Sequence, residues 1–221
     1  MIYNLLDLQK ITGQKEVFIY HGNLSPEALS DPRFIGLALY PKNLREIKCN
    51  LNNQIPLPDN CIDAFQSEDV IEHIETDKTI FCLNEIYRIL KPNSFCRISL
   101  PDYYSFNQKR RSIYDYQGNI LGDVALGAVP FFYNNELKIK HTNPPGDNHF
   151  WFPTVDNVKD IISKSDLNKC STIKIVHANM KNSDPILNEV ENFKTFYVRR
   201  CPPIDMRSNG DPVSIIIDFI K

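Results

Sequence analysis

Residues 55–103, IPLPDNCIDAFQSEDVIEHIETDKTIFCLNEIYRILKPNSFCRISLPDY, leave the backbone few choices. The breakers Pro56, Pro58, Asp59 and Asn60 open the stretch. The apolar run at 61–65 that follows is too short for a helix, so a strand is predicted that ends near Ser67. Ile80, Phe81, Leu83, Ile86, Tyr87, Ile89 and Leu90 then recur at helical spacing, with Arg88 and Lys91 at the end where the backbone dipole favours cations. Pro92 stops that helix, and residues 95–100 form a second strand running into Pro101 and Asp102. Strand, helix and strand in this order imply a right-handed crossover between parallel strands, and hence an α/β fold.

The string PLPDNCIDAFQSEDVIEHI, continued by LNEIYRILKPNSFCRISLPD, resembles the fourth and fifth strands of the class I S-adenosylmethionine-dependent methyltransferases. Val70, Glu72 and His73 match that family's hydrophobic residue followed by Glu-His. Leu90, Lys91 and Pro92 match its Leu-Lys-Pro turn, with Asn93 and Ser94 in place of two glycines. Within the family the resemblance leans towards the small glycan-cluster or lipid-type methyltransferases. It implies a Rossmann-like, mostly parallel sheet of about seven strands with an antiparallel C-terminal strand. It also implies S-adenosyl-L-methionine as cofactor, held at the carboxyl ends of the strands as in other nucleotide-binding crevices.

The cofactor half departs from the family pattern. Residues 16–20 read as the first strand, but the loop after it, HGNLS, carries the single glycine Gly22. Residues 34–41 match the second strand, yet Ala38 stands where the family places the aspartate that holds the ribose hydroxyls. Residues 45–51 resemble the third strand, and Asn50 takes the place of an aspartate that receives the adenine amino group. An asparagine oxygen still accepts that hydrogen bond, without charge. A charge-assisted hydrogen bond contributes roughly 1.5 to 3 kcal/mol, so the Ala38 departure alone weakens binding by about ten- to a hundredfold. The resemblance maps the cofactor onto Tyr20, Gly22, Ala38, Leu39, Asn50, Leu51, Ser67 and Glu68. Glu68 and Asp69, adjacent carboxylates at a strand's carboxyl end, are replacement ligands on one reading and solvated surface charge on the other.

The catalytic candidates are His73, Glu72 and Asp102. The ordinary pKa of a histidine suits a general base acting on an acceptor hydroxyl or amine. On the alternative reading Glu72 and His73 shape the first turn of a helix, where acidic groups are favoured. No metal site is expected: His141, Asp147 and His149 are too irregularly spaced, and closely paired cysteines are absent. The six cysteines, at 49, 61, 82, 96, 170 and 201, read as reduced core residues of a cytoplasmic protein.

With 221 residues the chain suits one α/β domain. A net charge of -2 and a pI near 6.2 give no attraction to polyphosphate, so nucleic acid is not expected as a partner. The N-terminal segment does not read as a signal peptide, and no apolar run approaches a membrane span. Residues 103–150 form an insertion or lid without clean periodicity. There Tyr103, Tyr104, Phe131, Phe132 and Tyr133 wall an acceptor pocket or simply cover the sheet edge. Thr154 caps a helix with Val155, Val158, Ile161 and Ile162 on one face. Residues 172–177 and 212–220 pair as the last strands, and residues 201–212 form a hairpin loop. Two functions remain open: a methyltransferase acting on a small or sugar-containing acceptor, and an inactive relative kept as a binding or assembly module.

Overall fold

The computed structural model describes residues 3–143, 147–190 and 212–221. An N-terminal helix, α1 (Leu5–Thr12), is held by a capping box between Asn4 and Asp7 and closed by Gly13 at φ +66°. Sequence periodicity did not single it out, although Asn4, Asp7 and Gly13 are the usual boundary residues. The parallel core follows: β1 (Phe18–His21), a five-residue helix α2 (Pro26–Ser30), β2 (Phe34–Ala38), β3 (Glu46–Lys48) and β4 (Ile62–Glu68). A 3-10 turn (Ile71–His73) leads to α3 (Thr76–Ile89) and β5 (Leu90–Pro101).

β1 pairs in parallel with both β2 and β4, β2 with β3, and β4 with β5, so the expected crossover between β4 and β5 is present. Pro92 lies just beyond the helix, as expected, and falls within β5. The register against β4 shifts from Ile62↔Leu90 to Ala64↔Phe95, and Asn93 takes φ +62° in the bulge between.

Residues after β5 build short elements of their own: α4 (Phe106–Arg111), a ribbon of β6 (Ser112–Tyr114) with β7 (Ile120–Asp123), and a hairpin of β8 (Ala128–Tyr133) with β9 (Glu136–His141). The chain then returns through α5 (Val155–Ser163), where Thr154 and Asn157 form a capping box. It continues in β10 (Thr172–Ala178), the two-residue β11 (Ile186–Leu187) and β12 (Ser214–Ile220). β12 lies antiparallel between β5 and β10, and β11 adds an eighth strand to the seven expected, in the order β11-β10-β12-β5-β4-β1-β2-β3. Residues 201–211 of the expected hairpin loop lie outside the described residues.

Both faces of the sheet are covered, which is why every residue of β1 and β2 is buried. Ile19, Ile35 and Leu37 join Leu83, Ile86 and Ile89 of α3 and Val155, Val158 and Ile162 of α5 in one core, while Phe18, Tyr20 and Phe34 pack with Ala28 of α2 on the other face. Burial pushes the Cys49 and Cys61 thiols up to about 11, which keeps them protonated and unreactive. Among the described residues no helix is long and apolar enough to cross a membrane.

Candidate active site

The strand order reverses at β1, whose neighbours β2 and β4 continue in opposite directions, and open α/β sheets bind ligands at such a point. Gly22 follows the last residue of β1 at φ +100°, a conformation that side chains rarely adopt, and donates its N–H to the Leu37 carbonyl at 2.8 Å. Below it the Tyr20 hydroxyl donates to Glu68 Oε2 at 3.0 Å, and His21 Nδ1 lies 2.8 Å from Ser67 Oγ; all four residues are buried. Burial drives the His21 pKa down to about 3, so the ring is neutral. Its Nε2 is buried without a hydrogen-bond partner.

The ends of β2 and β3 differ from the sequence expectation in one useful respect. Ala38 is 1% exposed and Leu39 is 49% exposed, and no acid stands at either place. A carboxylate does reach the loop after β1, that of Glu46 on β3. It accepts from Leu24 N–H at 2.9 Å, from the Asn23 and Asn43 amides at 2.8 Å each, and from Lys42 N–H. Burial raises its pKa, and the hydrogen bonds from Lys42, Leu24 and Asn23 more than offset that, holding the carboxyl below its usual range. Glu46 therefore pins the loop after β1 to the loop after β2, with its acceptor positions filled. Asn50 is exposed, and its side-chain oxygen accepts from Asn52 N–H at 3.0 Å within its own turn. Asn50 also lines a cavity of about 340 Å³ with Tyr3, Lys48, Asn53 and Gln54, and Leu51 packs nearby against the main core.

β4 ends on Glu68, and Asp69 just after it, at φ +51°, turns the chain into the 3-10 segment bearing Glu72 and His73. A strap from the far end of the insertion is fastened across that segment: Phe150 N–H donates to Glu72 O at 2.9 Å and Trp151 Nε1 donates to Ile71 O at 3.1 Å. The strap delivers His149. Its Nε2 lies 3.7 Å from Glu72 Oε1, His73 Nε2 lies 3.9 Å from the same oxygen, and the two rings meet edge to face at 4.7 Å. The strap thus adds His149 to the adjacent Glu72 and His73, a neighbour missed in the sequence because no local spacing connects it to them. His141 and Asp147 are not in this cluster.

Asp102 is fully buried, and its carboxylate accepts from the backbone N–H of Asn179 at 2.6 Å, from the Asn179 amide at 3.1 Å and from Tyr104 N–H at 2.9 Å. Burial is the larger influence and raises its pKa. This geometry is that of a latch joining the end of β5 to the segment after β10.

Beside it opens a cavity of about 700 Å³ lined by Tyr103, Tyr104, Tyr114, Phe150, Trp151 and Phe152 among others. Phe131, Phe132 and Tyr133 are exposed on the β8–β9 hairpin and are not among its lining residues, because the hairpin carries them outward. The strap supplies the aromatics expected there instead.

Residues 19–98 match the family described as methyltransferase domain. No curated protein matches the chain. Among solved structures, a SAM-dependent methyltransferase from Archaeoglobus fulgidus is similar, with a TM-score of 0.53 and 12% identity over 98% of this chain and 92% of that one. A second, from Thermotoga maritima, gives a TM-score of 0.50 and 14% identity over 99% and 90% of the two chains. At such identities the likeness shows the fold.

Proposed function

We propose that this chain is a class I S-adenosylmethionine-dependent methyltransferase that methylates a small or sugar-containing acceptor, a reading supported by its fold and by the family match of residues 19–98. The observation that carries this reading is the switch point itself, where Gly22 at φ +100° opens the loop beside the buried Tyr20–Glu68 and His21–Ser67 pairs. The buried, unpartnered His21 Nε2 adds a polar atom that a ligand or water would satisfy.

These residues fit the methionine side of the cofactor, with Gly22, Ser67 and Glu68 around it. On the nucleoside side Leu39 and Leu51 would flank the base and Asn50 would meet its amino group, with Ala38 supplying no clamp. When bound, S-adenosylmethionine supplies the electrophilic methyl group. The chain's own part is positioning, and most of the rate gain in such a transfer comes from holding the reactants in line. The aromatic cavity would hold the acceptor, and the Glu72–His73–His149 cluster would orient its nucleophile. His73 Nδ1 donates to Asn148 O at 3.0 Å, which leaves Nε2 as the basic nitrogen.

A second reading, a module that keeps the fold without cofactor binding, is favoured by the filled Glu46 carboxylate, by Ala38 and by the short α2 between β1 and β2. Calorimetric titration with S-adenosylmethionine and S-adenosylhomocysteine separates the two. Saturable binding of either supports the enzyme, and no heat at millimolar ligand leaves only the module.

A further inference from the structure

We propose that Glu72, His73 and His149 form a binding site for a divalent first-row transition cation such as Zn(II), Co(II), Fe(II) or Mn(II). One ligand atom from each, Glu72 Oε1, His73 Nε2 and His149 Nε2, lies within 4.8 Å of the other two. Metal–ligand distances of about 2.0–2.2 Å in a tetrahedral site put neighbouring ligand atoms roughly 3.3–3.6 Å apart, so the 3.7 and 3.9 Å separations need only a small contraction.

The surroundings prepare both imidazoles for this role. His73 Nδ1–H donates to the Asn148 carbonyl at 3.0 Å, which fixes its tautomer and leaves Nε2 as the lone-pair nitrogen. His149 Nδ1 is 2.8 Å from the Tyr103 oxygen, and that hydroxyl spends its proton on Asp123 Oδ2 at 2.7 Å, so the His149 ring donates from Nδ1 and again presents Nε2 as a lone pair. Arg111 forms an ion pair with the same Asp123 oxygen at 2.7 Å. Metal-bound histidines characteristically donate their other nitrogen to a carbonyl, carboxylate or similar acceptor, and here both do.

Two imidazoles and a carboxylate suit zinc, iron or manganese better than soft or purely oxygen-seeking ions, and three protein ligands leave a position open for water or an acceptor oxygen. The Glu72 side chain is fully buried, whereas the His73 side chain is 27% exposed, which gives an ion a way in. Glu72 and His73 lie on the 3-10 segment that follows β4, just after Val70, which packs against Gly22. Should methyl transfer be the activity, the cation would bind the acceptor oxygen there.

The test uses the full chain without a polyhistidine tag, stripped with chelator and titrated with Zn(II) by calorimetry and with Co(II) by visible absorption. We expect one cation per chain and ligand-field bands from Co(II). His73→Ala, the partly exposed position, and Glu72→Gln should each weaken Zn(II) binding at least tenfold. Asp123→Asn, which touches no proposed ligand atom, should weaken it by about ten- to a hundredfold. His141→Ala, an exposed position on β9, should bind as wild type does. Absence of saturable 1:1 binding at millimolar metal overturns the proposal, as does unchanged affinity in His73→Ala with the circular dichroism and Trp151 emission of the native fold. Since the titration contains no S-adenosylmethionine, its failure leaves the methyl-transfer reading standing.

Discussion

His21 titrates in the unfolded chain near its ordinary value of 6.5 and in the folded chain at about 3, because it is buried beside Ser67 and against the Phe65 ring. Between those two values the unfolded state holds a proton that the folded state refuses, so stability rises with pH there and is lost as pH falls from 6.5 towards 3. The expected contribution is about 1.4 kcal/mol per pH unit over that window. Urea unfolding of wild type and His21→Gln at pH 6.5, 5.5 and 4.5 should show the variant's slope shallower by that amount, and equal slopes would mean that His21 is protonated in the fold. Ala38 makes a second prediction. If the nucleoside sits at the end of β2 as proposed, Ala38→Asp supplies a ribose clamp and should tighten S-adenosylhomocysteine roughly ten- to a hundredfold by calorimetry. The same change should lower the stability of the ligand-free protein, since it puts a carboxylate at a position 1% exposed. Affinity that stays the same or falls would place the nucleoside elsewhere than at the end of β2.

The central strands were legible because breakers and short apolar runs bound them closely. β1, β2, β4, β5 and α3 fall within a few residues of the sequence reading, and α5 starts behind its predicted Thr154 cap. Charges inside the sheet were not legible. Arg97 of β5 faces Asp218 of β12 in register and binds it through two hydrogen bonds of 2.7 and 2.6 Å while fully buried, a pairing that depends on a strand contributed from the far end of the chain. Arg97→Met should destabilise the protein by about 3–5 kcal/mol, because it leaves the buried Asp218 carboxyl without its cation. Adding Asp218→Leu should recover most of that loss in a urea titration, since an apolar pair of similar volume replaces a buried ion pair at little cost. A double variant as unstable as the single one would show that packing around Arg97, including its contact over the Phe95 ring at 5.2 Å, matters more than the charge.

At the scale of the whole molecule, the parts of the site differ in legibility for a topological reason. Glu72 and His73 stand beside a strand end and so announce themselves in sequence, whereas His149, Tyr103, Asp123 and Glu46 reach their partners only after the insertion folds back or a neighbouring strand lies alongside. The strap that carries His149 also carries Trp151, the one tryptophan of the chain, whose indole is bonded to Ile71 beside β4. Trp151 emission therefore follows the strap, while far-ultraviolet circular dichroism follows the whole sheet. Because one sheet runs from β11 to β3 and the strap is fastened to its middle, both probes should melt together. A ligand present at a hundred times its dissociation constant stabilises the native state by about 2.7 kcal/mol. For a chain of 221 residues that corresponds to roughly 5–11 °C in Tm. S-adenosylhomocysteine should raise both midpoints equally by that amount if the crevice binds it. Unmoved midpoints at millimolar ligand would favour the noncatalytic module, and a shift in Trp151 emission alone would mean that the ligand meets the strap and not the switch point.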